Sequence, residues 1–120
     1  MISGDLFSIG IDSVEIERFT YFDPDSQFSR NVFTDGELEL CNTKEDRVAS
    51  LAGRFAAKEA VRKCLKKNLK YNQIEILSNE DGSPLVNLYD DELKERYIFK
   101  VSLTHTKSTA SAVCLALQKG

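Results

Sequence analysis

Phe7, Ile9 and Ile11 alternate with Ser8, Gly10 and Asp12, a period of two that predicts a half-buried strand with Asp12 at its C-terminal end. Ser13 to Phe22 reads as a short helix, closed by the turn Asp23-Pro24-Asp25-Ser26. Thr34-Asp35-Gly36-Glu37 has the Thr-x-x-Glu spacing of a capping box. Hydroxyl and carboxylate there satisfy backbone donors reciprocally, so a second short helix starts at that point. Thr43, followed by Glu45 and Asp46, marks the start of a longer helix, because acidic groups in a first turn are favoured by the helix dipole. That helix is predicted to run to about Lys66.

Beyond Lys70 the period returns to two. Ile74-Glu75-Ile76-Leu77 and Leu85-Val86-Asn87-Leu88 flank Asp81-Gly82 and predict a hairpin. Tyr89 to Arg96 reads as a short helix. Tyr97, Phe99, Val101 and Leu103 alternate with Ile98, Lys100, Ser102 and Thr104 as a strand, and Ala110 to Leu117 reads as the last one. No repeat or low-complexity segment interrupts residues 1–120. The expectation is therefore a single α+β domain, a mainly antiparallel sheet packed against one long and several short helices.

Within the long helix Val48, Leu51, Ala52, Phe55 and Ala56 follow the i, i+3, i+4, i+7, i+8 spacing of one apolar stripe. Glu59, at i+11, falls about 20° from Val48 on the same stripe. A carboxylate so placed needs a partner, because burying a charge unpaired is costly. The partner is an ion pair with Arg54, Arg62 or Lys63, or else a metal shared with another carboxylate such as Asp12.

Charge sharpens this picture. The net −3 of the 120 residues conceals three unequal segments. Residues 1–46 hold eleven acids against three bases, residues 47–70 eight bases against the single acid Glu59, and residues 71–120 seven acids against five bases, nets of −8, +7 and −2. The middle run is either a solvated helix face or a local site for a small polyanion. Overall acidity argues against a general nucleic-acid binder.

Composition excludes other chemistry. One histidine and three scattered cysteines, none in a C-x-x-C pair, cannot build a His/Cys zinc site. Isolated thiols in odd number suit a reducing compartment, each as a small core residue. No run approaches the ~20 apolar residues of a membrane span, and no signal-peptide layout is present, so the expected address is the cytoplasm. Asp12 and Glu59, two carboxylates without histidine, are hard oxygen ligands suited to Mg²⁺. His105, between the last two strands beside Thr104, Thr106 and Lys107, offers donors for a phosphate. A Ser-His-Asp triad has no G-x-S-x-G elbow to support it.

Five stretches occur in order: Ile9-Gly-Ile-Asp-Ser-Val-Glu-Ile16, Asn31-Val-Phe-Thr-Asp-Gly-Glu-Leu38, Leu51-Ala-Gly-Arg-Phe-Ala-Ala-Lys-Glu-Ala60, Asp81-Gly-Ser-Pro84 and Val101-Ser-Leu-Thr-His-Thr-Lys107. Together they resemble holo-acyl-carrier-protein synthase, the small trimeric group of 4′-phosphopantetheinyl transferases. The resemblance implies transfer of phosphopantetheine from coenzyme A to a serine of an apo acyl carrier protein, leaving adenosine 3′,5′-bisphosphate. It implies Asp12 and Glu59 as Mg²⁺ ligands and Lys63 near the transferred phosphate. Arg54, Lys58, Pro84, His105 and Thr106 would then hold coenzyme A, and Glu59, Lys63 and Asp35 would be the catalytic residues, Asp35 helping to activate the carrier serine. It further implies a homotrimer with active sites at subunit interfaces.

The chain departs from that pattern twice. Cys64-Leu-Lys-Lys-Asn-Leu-Lys70 contains no glycine where the family has a glycine-rich loop, and the first helical segment is acidic where the family's is basic. The alternative reading is a coenzyme A-binding or assembly module with weak or no turnover. A metal-dependent nucleotide hydrolase would share the two carboxylates.

Overall fold

The computed structural model of the chain describes residues 6–65 and 67–119. In chain order its elements are β1 (Phe7–Glu15), a 3-10 turn (Ile16–Phe19), α1 (Gln27–Val32), α2 (Asp35–Asn42), α3 (Arg47–Leu65), a second 3-10 turn (Tyr71–Gln73), β2 (Ile74–Ser78), β3 (Pro84–Leu88), α4 (Asp91–Arg96), β4 (Tyr97–His105) and β5 (Thr109–Gln118). The first strand pairs with the last. A three-stranded antiparallel sheet has the order β1-β5-β4, and β2 with β3 forms a separate two-stranded hairpin. The register sets Asp12 opposite Ala112 and Ala112 opposite Leu103. The predicted α+β architecture is thus observed.

Helix α3 is the spine. Every residue from Leu51 to Lys58 is buried, because β1 and β5 cover one side of the helix while α2 and β2 cover the other. Small side chains allow the close approach: Ala110, Ala112, Cys114 and Ala116 from β5 face Ala52, Ala56 and Ala60 in the core. Gly10 is the tightest point. A Cβ there would lie 2.1 Å from the Ala60 carbonyl oxygen and 2.7 Å from the Cys64 amide nitrogen, so only glycine lets β1 reach the helix. Ser8 Oγ donates to the Cys64 carbonyl at 2.8 Å and stitches the same contact. All three cysteines are free and buried, as expected of small core residues.

That packing inverts the predicted face of β1. Phe7, Ile9 and Ile11 are 57, 69 and 65% exposed, while Gly10 is buried against α3. The apolar side therefore points away from the protomer core. Its register with β5 and β4 aligns Phe7 with Leu117 and Ile98, and Ile9 with Leu115, which extends an uncovered apolar sheet face across three strands. Strand β1 also runs on to Glu15, leaving Asp12 inside it, and the helix expected over 13–22 shrinks to the single 3-10 turn.

The capping box at α2 is present, with Thr34 Oγ1 accepting from Glu37 N and the Glu37 carboxylate accepting from Thr34 N. Thr43, expected to open the long helix, instead closes α2. Asp46 takes over that role, since its carboxylate accepts from Ala49 N at 3.0 Å and α3 starts at Arg47. Helix α1, capped by Ser26 Oγ on Ser29 N, was not predicted. Its six residues are too few to display a helical period. Among the described residues no helix is long and apolar enough to cross a membrane.

Candidate active site

Two clusters form around α3. At its C-terminal half Lys63 reaches across to β1, where Nζ donates to Asp12 Oδ1 at 2.9 Å and to the Ile11 carbonyl at 3.1 Å. The bond to Asp12, with that carboxylate's charge behind it, raises the Lys63 pKa, and the Glu59 charge raises it further. Lys63 thus ties Asp12 to the helix that carries Glu59, although 47 residues separate the two carboxylates in sequence, and Glu59, Arg62 and Lys63 line one surface pocket. Glu59, about a quarter exposed, pairs with Arg62 at 3.1 Å. Of the three partners open to it, Arg62 is the one observed. The Arg62 guanidinium lies over the Tyr71 ring at 4.3 Å and donates to Asn68 Oδ1 at 3.1 Å.

The second cluster lies at the other half of α3. Arg54, Ser78, Gly82, Pro84 and His105 line a groove of about 450 Å³, with Lys44, Glu45 and Asp46 at its rim. Arg54 is 8% exposed and donates to Ser50 Oγ at 3.1 Å and Ser78 Oγ at 3.4 Å. Its Nε is buried without a partner, and no carboxylate pairs with it among the described residues. A buried guanidinium held only by hydroxyls is a site waiting for an anion. Gly82 adopts φ +88° in the turn that presents Pro84. His105 is the last residue of β4, paired with Ala110, rather than a loop residue. Thr106, its neighbour, accepts from Ser108 N and Thr109 N and so closes the β4–β5 turn.

Lys58 does not belong to either cluster. Its ammonium is fully buried, paired with Glu37 and donating to the carbonyls of Val32 and Tyr71. Three donors meet three acceptors, and none is left for a phosphate. The expected role of Lys58 in holding coenzyme A gives way to a structural one, because the helix face carrying it turns into the core under α2. Glu37 also accepts from Ile76 N, and Thr34 Oγ1 donates to Glu75, so one network ties α2, α3 and β2 together. Burial pushes the Glu37 pKa up and the Lys58 pKa down, each charge partly offsetting the other's shift. Asp35 stands exposed at the first position of α2, with no recorded bond to Asp12, Glu59 or Lys63.

Neither Arg62 nor Lys44, which the fold brings to these two clusters, stands out in the sequence as a candidate site residue. The i+3 spacing from Glu59 marked Arg62 only as a pairing partner, and nothing local distinguishes Lys44 from a solvated lysine. Asp12 and Glu59 offer carboxylate oxygens without nitrogen or sulfur donors, a set that fits Mg²⁺. Among the described residues no group of three or more His, Cys, Asp or Glu side chains gathers. A metal here would complete its shell with water and substrate oxygens, as Mg²⁺ commonly does.

Comparison with known proteins places the chain in a family. The family model described as the 4′-phosphopantetheinyl transferase superfamily matches residues 8–116, and the chain belongs to that superfamily. Within it the chain falls among the holo-[acyl-carrier-protein] synthases. It is 41% identical to the protein of that name from Chlorobaculum tepidum over 89% of this chain and 95% of the relative. It is 40% identical to that from Caldicellulosiruptor bescii over 92% and 98%. Among solved structures, the ACPS–CoA complex from Chronobacterium ammoniagenes superposes with a TM-score of 0.79 at 26% identity, covering 95% of this chain and 98% of that one. The Helicobacter pylori holo-[acyl-carrier-protein] synthase in complex with coenzyme A gives 0.75 at 29% identity, covering 90% and 98%.

Proposed function

We propose that this protein transfers the 4′-phosphopantetheine group of coenzyme A to a serine of an apo acyl carrier protein, releasing adenosine 3′,5′-bisphosphate. The observation that carries the reading is the path of α3. One rigid helix bears Arg54 in the groove with Pro84 and His105, and nine residues further, about 13 Å of rise, bears Lys63 against Asp12 beside Glu59.

In this reading Arg54 takes a phosphate of the nucleotide half, its missing counter-ion supplied by the ligand. His105 and Pro84 wall the same groove, and Thr106 fixes the turn that aims His105. Asp12 and Glu59 would hold Mg²⁺, which when bound polarises the diphosphate oxygens and offsets charge developing on them. Phosphoryl transfer is mainly positioning and electrostatic stabilisation. Lys63 supplies a positioned ammonium near the phosphate under attack. Asp35 or Glu59 receives the proton of the carrier serine.

A homotrimer accompanies this reading. The apolar face built from the exposed Phe7, Ile9, Ile11, Leu117 and Ile98 around the half-buried Leu115 exceeds the scattered single residues of a monomer surface, and other copies of the chain would cover it. The cytoplasm, where coenzyme A and carrier proteins meet, is the corresponding location.

The test is incubation with labelled coenzyme A, Mg²⁺ and an apo carrier protein. Label should appear on the carrier and be lost with Asp12→Ala, Glu59→Ala or EDTA. Transfer that survives all three would sink the metal assignment. Tight coenzyme A binding without transfer to any carrier would favour a binding module instead.

A further inference from the structure

Each candidate metal ligand is already occupied by a cation of the same protomer. Lys63 holds Asp12, and Arg62 holds Glu59. The cluster of two carboxylates and two cations is electrically neutral. Its pairs are also weakly held, since the Lys63 side chain is 55% exposed and Arg62 and Glu59 are about a quarter exposed.

Adding a divalent cation alone would bring two further positive charges beside two ammonium-type groups whose carboxylates it must take. Adding a diphosphate alone would bring two negative charges to cations already neutralised. Adding both keeps the sum at zero through an exchange of partners. The carboxylates pass from Arg62 and Lys63 to the metal, and the released cations pass to the phosphate oxygens.

Arg62 is built for the second half of that exchange. Its planar fork matches phosphate oxygens in a bidentate manner. Stacking on Tyr71 and the bond to Asn68 hold its guanidinium in place. Its Nε is buried with no partner among the described residues, a donor left unsatisfied in this state. The segment that follows, Leu65 to Lys70, has no glycine to let backbone donors approach a diphosphate, so side-chain donors must take their place.

Resting on the function proposed above, we propose that Arg62 and Lys63 stand in for the metal on Glu59 and Asp12 and move to the diphosphate when Mg²⁺ and coenzyme A arrive together. Arg62 is then a substrate-binding residue, and metal and coenzyme A bind cooperatively.

The experiment measures Mn²⁺ binding by the loss of its free electron-spin-resonance signal, with and without saturating coenzyme A, on the full chain. Coenzyme A should tighten metal binding by about tenfold or more, within the range usual for coupled sites. Arg62→Gln should bind metal alone more tightly than the parent, bind coenzyme A with metal more weakly, and show a coupling factor closer to one. Lys63→Gln should shift all three in the same directions, and Arg62→Lys should restore part of the coupling. A purely structural arginine would move none of them in this pattern. Equal metal affinity with and without coenzyme A overturns the exchange while leaving the transferase reading intact. Failure of the parent to bind either ligand overturns both.

Discussion

Replacing Lys58 by methionine tests whether the buried lysine is structural. Methionine keeps much of the apolar stem and removes the ammonium, which donates to Glu37 and to the carbonyls of Val32 and Tyr71. Glu37 would be left as an uncompensated buried carboxylate, and breaking such a pair from one side costs about 3–5 kcal/mol. The two carbonyls add about 1 kcal/mol each where water cannot reach them. The sum is a large part of the stability of an ordinary domain. Urea unfolding at one fixed protein concentration reads it directly.

The same substitution carries a pH signature. Burial already holds the Glu37 carboxyl above its usual 4.5 despite the counteracting Lys58 charge, and without Lys58 it rises further. An acid whose folded pKa is raised contributes its stability below the unfolded value and loses it as pH climbs through the folded one. The gap between parent and Lys58→Met should therefore be smallest below pH 4.5 and widen toward neutrality. Adding Glu37→Gln to Lys58→Met removes the stranded charge and should recover part of the loss. Coenzyme A affinity of the folded variant should be unchanged. A Lys58→Met protein that unfolds with the parent but has lost coenzyme A binding would refute the reasoning and return Lys58 to the ligand.

Three further outcomes follow from named contacts. Gly10→Ala should destabilise by about 3 kcal/mol or more, because the obstructing atoms are helix backbone and cannot swing aside; an unshifted thermal midpoint would contradict the packing. Ile9→Asp with Ile11→Asp should leave the circular dichroism of the fold intact and shift sedimentation to the protomer mass, whereas an unchanged mass would remove this face from the assembly. Thr34→Ala should cost about 1 kcal/mol for the lost cap. It also removes a bond to Glu75, whose carboxyl is pushed up by burial yet carried below its usual value by hydrogen bonds from Thr34, Tyr89 and Asn87. A lowered acid gives stability above its unfolded pKa that fades as pH falls through the folded one, so the penalty measured at pH 7 should shrink in acid.

The local signals that read true are those complete within a few residues. The capping box at Thr34 and Glu37, the Asp81-Gly82 hairpin and the alternation of β4 need no distant partner. The errors arise where a distant partner decides. Alternation in Phe7 to Ile11 announces that one face of β1 is apolar but not which face meets α3, because that choice is made by the Gly10 contact with Ala60. The stripe through Val48 and Phe55 suggested one buried face. The helix is in fact enclosed all round only from Leu51 to Lys58, so Lys58, off the stripe, is in the core, and Glu59, on the stripe but past that stretch, reaches partly into solvent. For the candidate site, residue types and order were legible, and the meeting of Asp12 with Lys63 required the fold. The exposed Asp35 remains a residue whose expected role has no contact to support it.

The β1-β5 pairing has a consequence in time. Phe7 to Glu15 are synthesised roughly a hundred residues before the strand that pairs with them, with Phe7 opposite Leu117. Until β5 has been made, β1 lacks its strand partner, and non-local pairing of this kind is intrinsically slow. Even then its isoleucines stay in water, and in the proposed trimer they would be covered only once other chains had finished as well. Completion of such a trimer would be a meeting between molecules, and its rate would depend on how many other copies a ribosome's neighbours had already released. A newly made chain at low abundance would linger with a sticky edge and an apolar face, the kind of intermediate that chaperones retain and proteases remove. Expression level, and not only sequence, would then help decide how much of this protein ever reaches its working form.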